Sequence, residues 1–172
     1  MTVVRTKTTY LEMLAPPGAG MTPDVALSVE RAVRPSVEFY RFLYNSVGRD
    51  YLWVDRNRMP DETLQQILND DLVEVYVLNV AGKPAGYAEL DRRTPGEVEL
   101  AYFGLFPAYV GQGWGKQFLR WTVQQAWSCR PRRVWVHTCD LDHPAALPNY
   151  LQAGFTIYDE QMVDQVVTAD AR

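Results

Sequence analysis

Leu105-Phe106-Pro107-Ala108-Tyr109-Val110-Gly111-Gln112-Gly113-Trp114-Gly115-Lys116 is the stretch on which the reading of this chain turns. Before it, Glu97-Val98-Glu99-Leu100-Ala101-Tyr102-Phe103-Gly104-Leu105-Phe106 reads as a strand that Pro107 stops. After it, Trp114, Phe118, Leu119, Val123, Ala126 and Trp127 recur at the spacing of one helical face. Between them, glycines at alternate positions let the backbone take positive φ and bring several N–H groups close to a ligand. The N-terminus of the following helix favours negative charge. That combination suits phosphate oxygens, although the spacing alone also serves a plain strand-to-helix turn.

Two familiar phosphate loops fail here. A P-loop has Gly five residues before its second Gly and Ser or Thr after its Lys, whereas Val110 and Gln117 occupy those positions. A dinucleotide fingerprint needs a third Gly where Lys116 stands, and it needs a βαβ unit around it. The preceding elements read instead as an antiparallel meander. Val73–Val80 is a strand, Ala81-Gly82-Lys83-Pro84 a turn, Ala85–Asp91 a strand, and Thr94-Pro95-Gly96 the turn into Glu97.

Further outward, Thr2–Met13 is extended and Ala15–Gly20 is a loop, while Val25–Val33 is a second extended piece. Pro35 opens a helix reaching Gly48, with Val37, Tyr40, Phe42 and Tyr44 on its apolar face; Pro60–Asn69 is another helix. Towards the C-terminus, Val134–Thr138 is a strand and Ala145–Ala153 a helix ended by Gly154. Phe155–Asp159 and Met162–Thr168 read as two closing strands.

With 172 residues, 47% of them hydrophobic, and no linker-like tract, the chain is expected to be one domain over 1–172. A net charge of −4 with scattered Lys and Arg offers no footprint for nucleic acid. Cys129 and Cys139 form no C-x-x-C pair and, with two His, build no metal site; free, partly buried thiols in a reducing cytoplasm are expected. Met1–Tyr10 lacks the apolar run of a signal peptide, and no run of apolar residues is long enough to span a bilayer. The expectation is a cytoplasmic protein with no membrane partner.

The loop Val110-Gly111-Gln112-Gly113-Trp114-Gly115, introduced by Leu105-Phe106-Pro107-Ala108-Tyr109, resembles the pyrophosphate loop [QR]-x-x-G-x-[GA] of the GNAT superfamily of acyl-CoA-dependent N-acyltransferases. Ala146-Leu147-Pro148-Asn149-Tyr150-Leu151-Gln152-Ala153-Gly154-Phe155 resembles that family's A-x-x-x-Y-x-x-x-G-F segment. The resemblance covers roughly Val73–Thr168. It implies a mixed α/β (α+β) fold with a central, mostly antiparallel, splayed sheet of about six to seven strands flanked by about four helices. The strand ending near Phe106 would part from Val134–Thr138 and leave a cleft. Two positions depart from the pattern: Val110 stands where the family has Gln or Arg, and His143 where it usually has Asn. Pro148 is also expected to distort the first turn of its helix.

The implied reaction is transfer of an acetyl group from acetyl-CoA to a primary amine of a small molecule or peptide by direct attack in a ternary complex. Cofactor contacts fall to the backbone of Phe103, Gly104 and Leu105, where Gly104 admits a close approach, to Val110, Gly111, Gln112, Gly113, Trp114, Gly115 and Lys116, and to His143. The chemistry needs a free amine, oxyanion stabilisation and a proton for the leaving thiolate. Tyr150 is the expected acid. Glu99 is the first candidate for the base, directly or through a water, and Glu97 is its rival. Alternation puts Glu99 with Ala101 and Phe103, opposite Leu100 and Tyr102. His137 reads as a half-buried strand residue. Tyr51 and Trp53 are candidates to line the acceptor pocket. The partners expected are therefore acetyl-CoA and an amine acceptor, with a homodimer left open. The alternative class is a catalytically silent acyl-CoA-binding sensor or interaction module, made conceivable by Val110 and His143.

Overall fold

The computed structural model describes residues 2–18, 23 and 25–167; Met1, Ala19, Gly20 and Thr168, named above, lie outside them. In chain order the elements are β1 (Thr2–Met13), β2 (Ser28–Ala32), α1 (Val37–Gly48), α2 (Asp55–Arg58), α3 (Asp61–Asn69), β3 (Val73–Val80), β4 (Lys83–Asp91), β5 (Glu97–Leu105), α4 (Trp114–Ser128), β6 (Arg133–Cys139), α5 (Ala146–Gln152) and β7 (Thr156–Val167). Single 3₁₀ turns at Arg49–Tyr51 and Pro107–Tyr109 connect α1 to α2 and β5 to α4. Among the described residues, no helix is long and apolar enough to cross a membrane.

The expected mixed α/β architecture is present. Seven strands form one sheet in the order β2-β3-β4-β5-β6-β1-β7, antiparallel throughout except where β5 meets β6. Phe118, Leu119, Val123 and Ala126 of α4 bury one face with Leu78, Leu90, Val98, Leu100, Val134, Val136, Tyr150 and Phe155. Tyr40, Leu43, Tyr44 and Val47 of α1 and Leu64 and Leu68 of α3 bury the other against Val75, Val77 and Tyr87.

Local chemistry accounts for the boundaries. Ser36 caps α1, its hydroxyl accepting from Phe39 N–H at 3.1 Å. Ala81 and Gly82, with φ of 51° and 79°, make a two-residue hairpin turn, so Lys83 already pairs with Val80. Pro148 occupies the third residue of α5, where a backbone N–H has no intrahelical acceptor anyway; Asn149 N–H reaches Ala145 O at 3.0 Å, and the expected distortion does not occur.

Four expectations need correction. Phe42 is 50% exposed, because the buried stripe of α1 runs through Tyr40, Leu43, Tyr44 and Val47. Cys129 is exposed rather than partly buried. The two closing strands are one, β7, whose polar run Asp159-Glu160-Gln161 stays paired with Tyr10, Thr9 and Thr8 because β1 runs beside it. Finally, β5 pairs Tyr102 with Glu89 and Leu100 with Leu90, which leaves Ala101 as a bulge. One extra residue reverses the alternation beyond it. Val98, Leu100, Phe103 and Leu105 share the α4 face, and Tyr102 joins the opposite face with Glu99.

Beneath that second face lies a buried ion pair. Arg56 Nη2 donates to Glu89 Oε2 at 2.7 Å, Tyr40 OH donates to Glu89 Oε1 at 2.5 Å, and the Arg56 guanidinium lies over the Tyr40 and Tyr102 rings. Complete burial pushes the Glu89 carboxyl up, and Arg56 and Tyr40 oppose that rise. The pair ties α2, a helix of four residues that could not stand alone, to the sheet. Arg56→Ala is expected to cost about 3–5 kcal/mol, read as a lower urea midpoint. A variant within about 1 kcal/mol of the native protein would show that α2 is held by its other contacts.

Candidate active site

The pairing of β5 with β6 lasts three residues, Glu97 with Arg133, Val98 with Val134 and Glu99 with Trp135. Beyond Glu99 the strands diverge, and a cleft of about 980 Å³ opens between them. Unpaired backbone groups on the parting edges are costly when dry, so they invite a polar, extended partner. The cleft runs from the glycine loop to the α1–α2 segment.

At one end, Gly111 and Gly113 take φ of 83° and 88°, a conformation that side chains disfavour. Gly113 sits at the N-cap of α4 with no side-chain cap and no acidic residue in the first turn. The first helical bond of α4 is Gln117 N–H to Gly113 O at 3.5 Å, so the amides of Trp114, Gly115 and Lys116 have no intrahelical acceptor. Main-chain amides set out in this way suit an anion, and they lose nothing from Val110 replacing a polar side chain. Val110, Gly111, Gly113, Gly115 and Lys116 line the cleft. The Gln112 side chain turns back to Ala108 O at 3.0 Å, and Trp114 packs on the core, which leaves those two residues their backbone to offer.

Along the middle lie Phe103, Gly104 and Leu105. The close neighbour of Gly104 is Val47 of α1, which a Cβ there would strike, so the missing side chain makes room for a helix. Tyr150 is buried on α5, edge-on to Phe155 at 5.9 Å, and faces the cleft; burial raises its pKa, with Asp142 adding to the rise. His143 accepts from Ala145 N–H at Nδ1, 3.0 Å, and its ring meets Tyr51 at 6.1 Å, leaving Nε2 for another partner.

At the far end Glu99 and its surroundings meet the α1–α2 segment. Tyr51 and Trp53 line the cleft, and Trp53 Nε1 donates to Asp142 Oδ1 at 3.1 Å, joining the two walls. Asp142 also accepts from Thr138 Oγ1 at 2.6 Å and Cys139 N–H at 3.1 Å. Glu99 is 23% exposed and 3.8 Å from His137 Nε2. Burial pushes its carboxyl up to about 7, with the charges of Asp91 and Glu89 adding to the rise. Glu97, its rival, is engaged by Arg133 at 3.2 Å and lines a smaller pocket of about 300 Å³ with Asp91, Arg93, Thr94, Glu99 and Trp135.

Sequence reasoning missed Asp55, Arg56, Asp91, Arg93 and Asp142 in this lining, and undervalued His137. Asp142 caps no helix; its carboxylate is fixed by Trp53, Thr138 and Cys139, partners that its own segment does not announce. Asp55 and Arg56 come in on α2, while Asp91 and His137 are brought here by strand pairing, and none of them carries a local mark.

The raised Glu99 pKa has a measurable sign. Between about 4.5 and 7 the folded protein holds a proton that the unfolded chain has released, so ionised Glu99 costs stability as pH rises through that window. Glu99→Gln is therefore expected to stabilise the fold above pH 8 by on the order of 3 kcal/mol, and to change it little near pH 4. Urea melts at the two pH values check this; an equal difference at both would refute the raised pKa.

Residues 40–155 match the model of the acetyltransferase (GNAT) family. A search of curated proteins finds none that matches. Among solved structures, a GCN5-related N-acetyltransferase from Sphaerobacter thermophilus aligns with TM-score 0.62 and 17% identity over 92% of this chain and 50% of its own. An aminoglycoside acetyltransferase from an uncultured soil sample, in complex with sisomicin, aligns with TM-score 0.61 and 19% identity over 84% and 97%. A Bacillus subtilis acetyltransferase in complex with CoA aligns with TM-score 0.60 and 19% identity over 78% and 79%. At these identities the likeness is one of fold. The chain spans 60% and 63% of the length of two further structures it resembles, from Staphylococcus epidermidis and Novosphingobium aromaticivorans.

Proposed function

The chain belongs to the acetyltransferase (GNAT) family, and from that premise we propose that it is a single-domain enzyme moving an acetyl group from acetyl-CoA to a primary amine by direct attack in a ternary complex. The observation that carries this reading is one continuous cleft with free helix-terminal amides at one end, Tyr150 in its wall and Glu99 at the other end. In this reading the amides of Gly111 to Lys116 bind the pyrophosphate and Lys116, exposed and beside them, adds a positive charge. The parted edge of β5, from Phe103 to Leu105, pairs with the pantetheine amides, and Nε2 of His143 adds a contact. A carboxyl with a pKa near 7 is half ionised at neutral pH, which suits it to remove a proton from an arriving ammonium. Tyr150 protonates the departing sulfur. Its raised pKa keeps the phenol protonated until a thiolate forms beside it. Tyr51 and Trp53 wall the acceptor.

Titration calorimetry of acetyl-CoA against the native protein and Gly113→Glu tests the cofactor half. Saturable binding is expected, weakened at least about tenfold in the variant, whose side chain strains the loop and repels phosphate. No binding by the native protein would remove the acyltransferase reading. For the acceptor half, release of free thiol is followed with sisomicin, spermidine, phenethylamine and L-phenylalanine. The first is included because a structural neighbour is an aminoglycoside acetyltransferase. Binding without turnover of any amine would favour the silent acyl-CoA-binding module. With a working acceptor, Tyr150→Phe is expected to lower kcat by about a hundredfold with little change in acetyl-CoA affinity, and unchanged turnover would remove the acid role.

A further inference from the structure

Proton counting exposes a demand that Glu99 and Tyr150 do not meet. An amine that arrives as ammonium loses two protons on becoming an amide, while the leaving sulfur takes one. Each turnover therefore sends one proton to solvent. A single carboxylate at the acceptor nitrogen has to be emptied between the two transfers. At that moment acceptor and pantetheine occupy the cleft, and Glu99 is already largely buried.

Glu89 on β4 is committed to Arg56 of α2 and Tyr40 of α1. Asp91, at the end of β4, is bound by Arg93 at 2.7 Å, and burial, which would raise its pKa, is outweighed by that arginine, so it stays ionised without taking up a proton. Glu97, on β5 itself, is paired with Arg133. Asp55 of α2 and Asp142 of the β6–α5 loop act on His137 electrostatically, and Asp142 is already held by three donors. What remains among the described residues is the His137 imidazole on β6. It stands two residues beyond Trp135, the last β6 partner of β5, where the strands part. Its Nε2 is 3.8 Å from Glu99 Oε1, a gap that a small side-chain rotation or one water closes, and its side chain is 46% exposed. Its ring is flanked by Tyr10 at 5.7 Å and Trp135 at 6.1 Å.

We infer that His137 is the proton outlet of the acceptor site, passing to solvent the proton that Glu99 takes from the ammonium. This rests on the acyltransferase reading above. In the balanced sequence, Glu99 removes the first proton and transfers it to His137 Nε2, which releases it to water. The freed nitrogen lone pair forms the C–N bond as the carbonyl π pair moves to oxygen, and that pair re-forms the carbonyl in the step that expels sulfur. The C–S bond then breaks with its electron pair on sulfur, which is protonated by Tyr150, while Glu99 takes the second nitrogen proton. Glu99 passes this second proton out through His137 as it did the first, and the Tyr150 phenolate is reprotonated from solvent, so two protons leave, one returns, and one is released net per amide formed. Partial burial lowers the His137 pKa, and Asp142 and Asp55 oppose that shift, so a relayed proton is shed readily at neutral pH.

The test uses the acceptor found in the amine panel. His137→Gln is expected to fold and to bind acetyl-CoA as the native protein does, with kcat lowered about tenfold or more and a steeper loss towards acid pH. In His137→Ala, free imidazole is expected to restore turnover in proportion to its concentration. A native-like pH–rate profile in His137→Gln, or a slow His137→Ala that imidazole does not accelerate, would overturn the relay alone. A native protein that acetylates none of the amines overturns it together with the parent reading. Independently of turnover, the NMR titration midpoint of His137 is expected to fall in Glu99→Gln; an unmoved midpoint would show the two groups uncoupled and overturn the proposal.

Discussion

The parting of β5 from β6 after Glu99 and Trp135 is the constraint on which the remaining geometry depends. A sheet that stayed paired to the ends of both strands would satisfy its backbone internally and leave no cleft. Here the parallel ladder stops after three residues. Each arm is then stabilised from outside, β5 by β4 and α4, and β6 by its long antiparallel contact with β1. The bulge at Ala101 lies on the free stretch, two residues past the last shared register. It turns Tyr102 towards α1 and Phe103 towards Phe118, so both faces remain packed while the edge is open.

The charges of the acceptor end follow from the same arrangement. Once Glu89 holds Arg56 and Asp91 holds Arg93, those two arginines are largely neutralised. Glu99 is left facing carboxylates at close range, and desolvation together with that repulsion places its titration near neutrality. The buried pair thus has two effects: it anchors a four-residue helix that lines the cleft, and it keeps a nearby cation from pulling Glu99 back to an ordinary carboxylate. Its cost in desolvation is offset by the Tyr40 hydroxyl and the two flanking rings.

The loop Val110–Lys116, the α4 stripe and the β3–β4–β5 meander were legible because each is written in local spacing: alternate glycines, helical recurrence, a turn between β-branched runs. What escaped the sequence is non-local. Ala101 looks like any strand residue, and its bulge appears when β4 sets the register. Asp159-Glu160-Gln161 looks like a turn until twelve residues of β1 run beside it. Gly104 suggests an approach by ligand, whereas Val47 comes from a helix far away in the chain. Of the cleft lining, Tyr150 and Glu99 were singled out through the family's spacing and a charged residue amid apolar ones. His137, Arg56 and Asp142 were not, since their meaning lies in what stands opposite them.

The outer edge of the sheet, β7, has a consequence for the behaviour of many copies in one solution. Its twelve residues present an open row of backbone donors and acceptors, with Ile157, Tyr158 and Met162 exposed along it, a ready template for strand addition. The same strand carries Asp159, Glu160 and Asp164 and no lysine or arginine. Two such edges brought side by side oppose three carboxylates to three carboxylates. The polar run that disguised β7 as two strands therefore guards this border of the described sheet against fibre-like stacking.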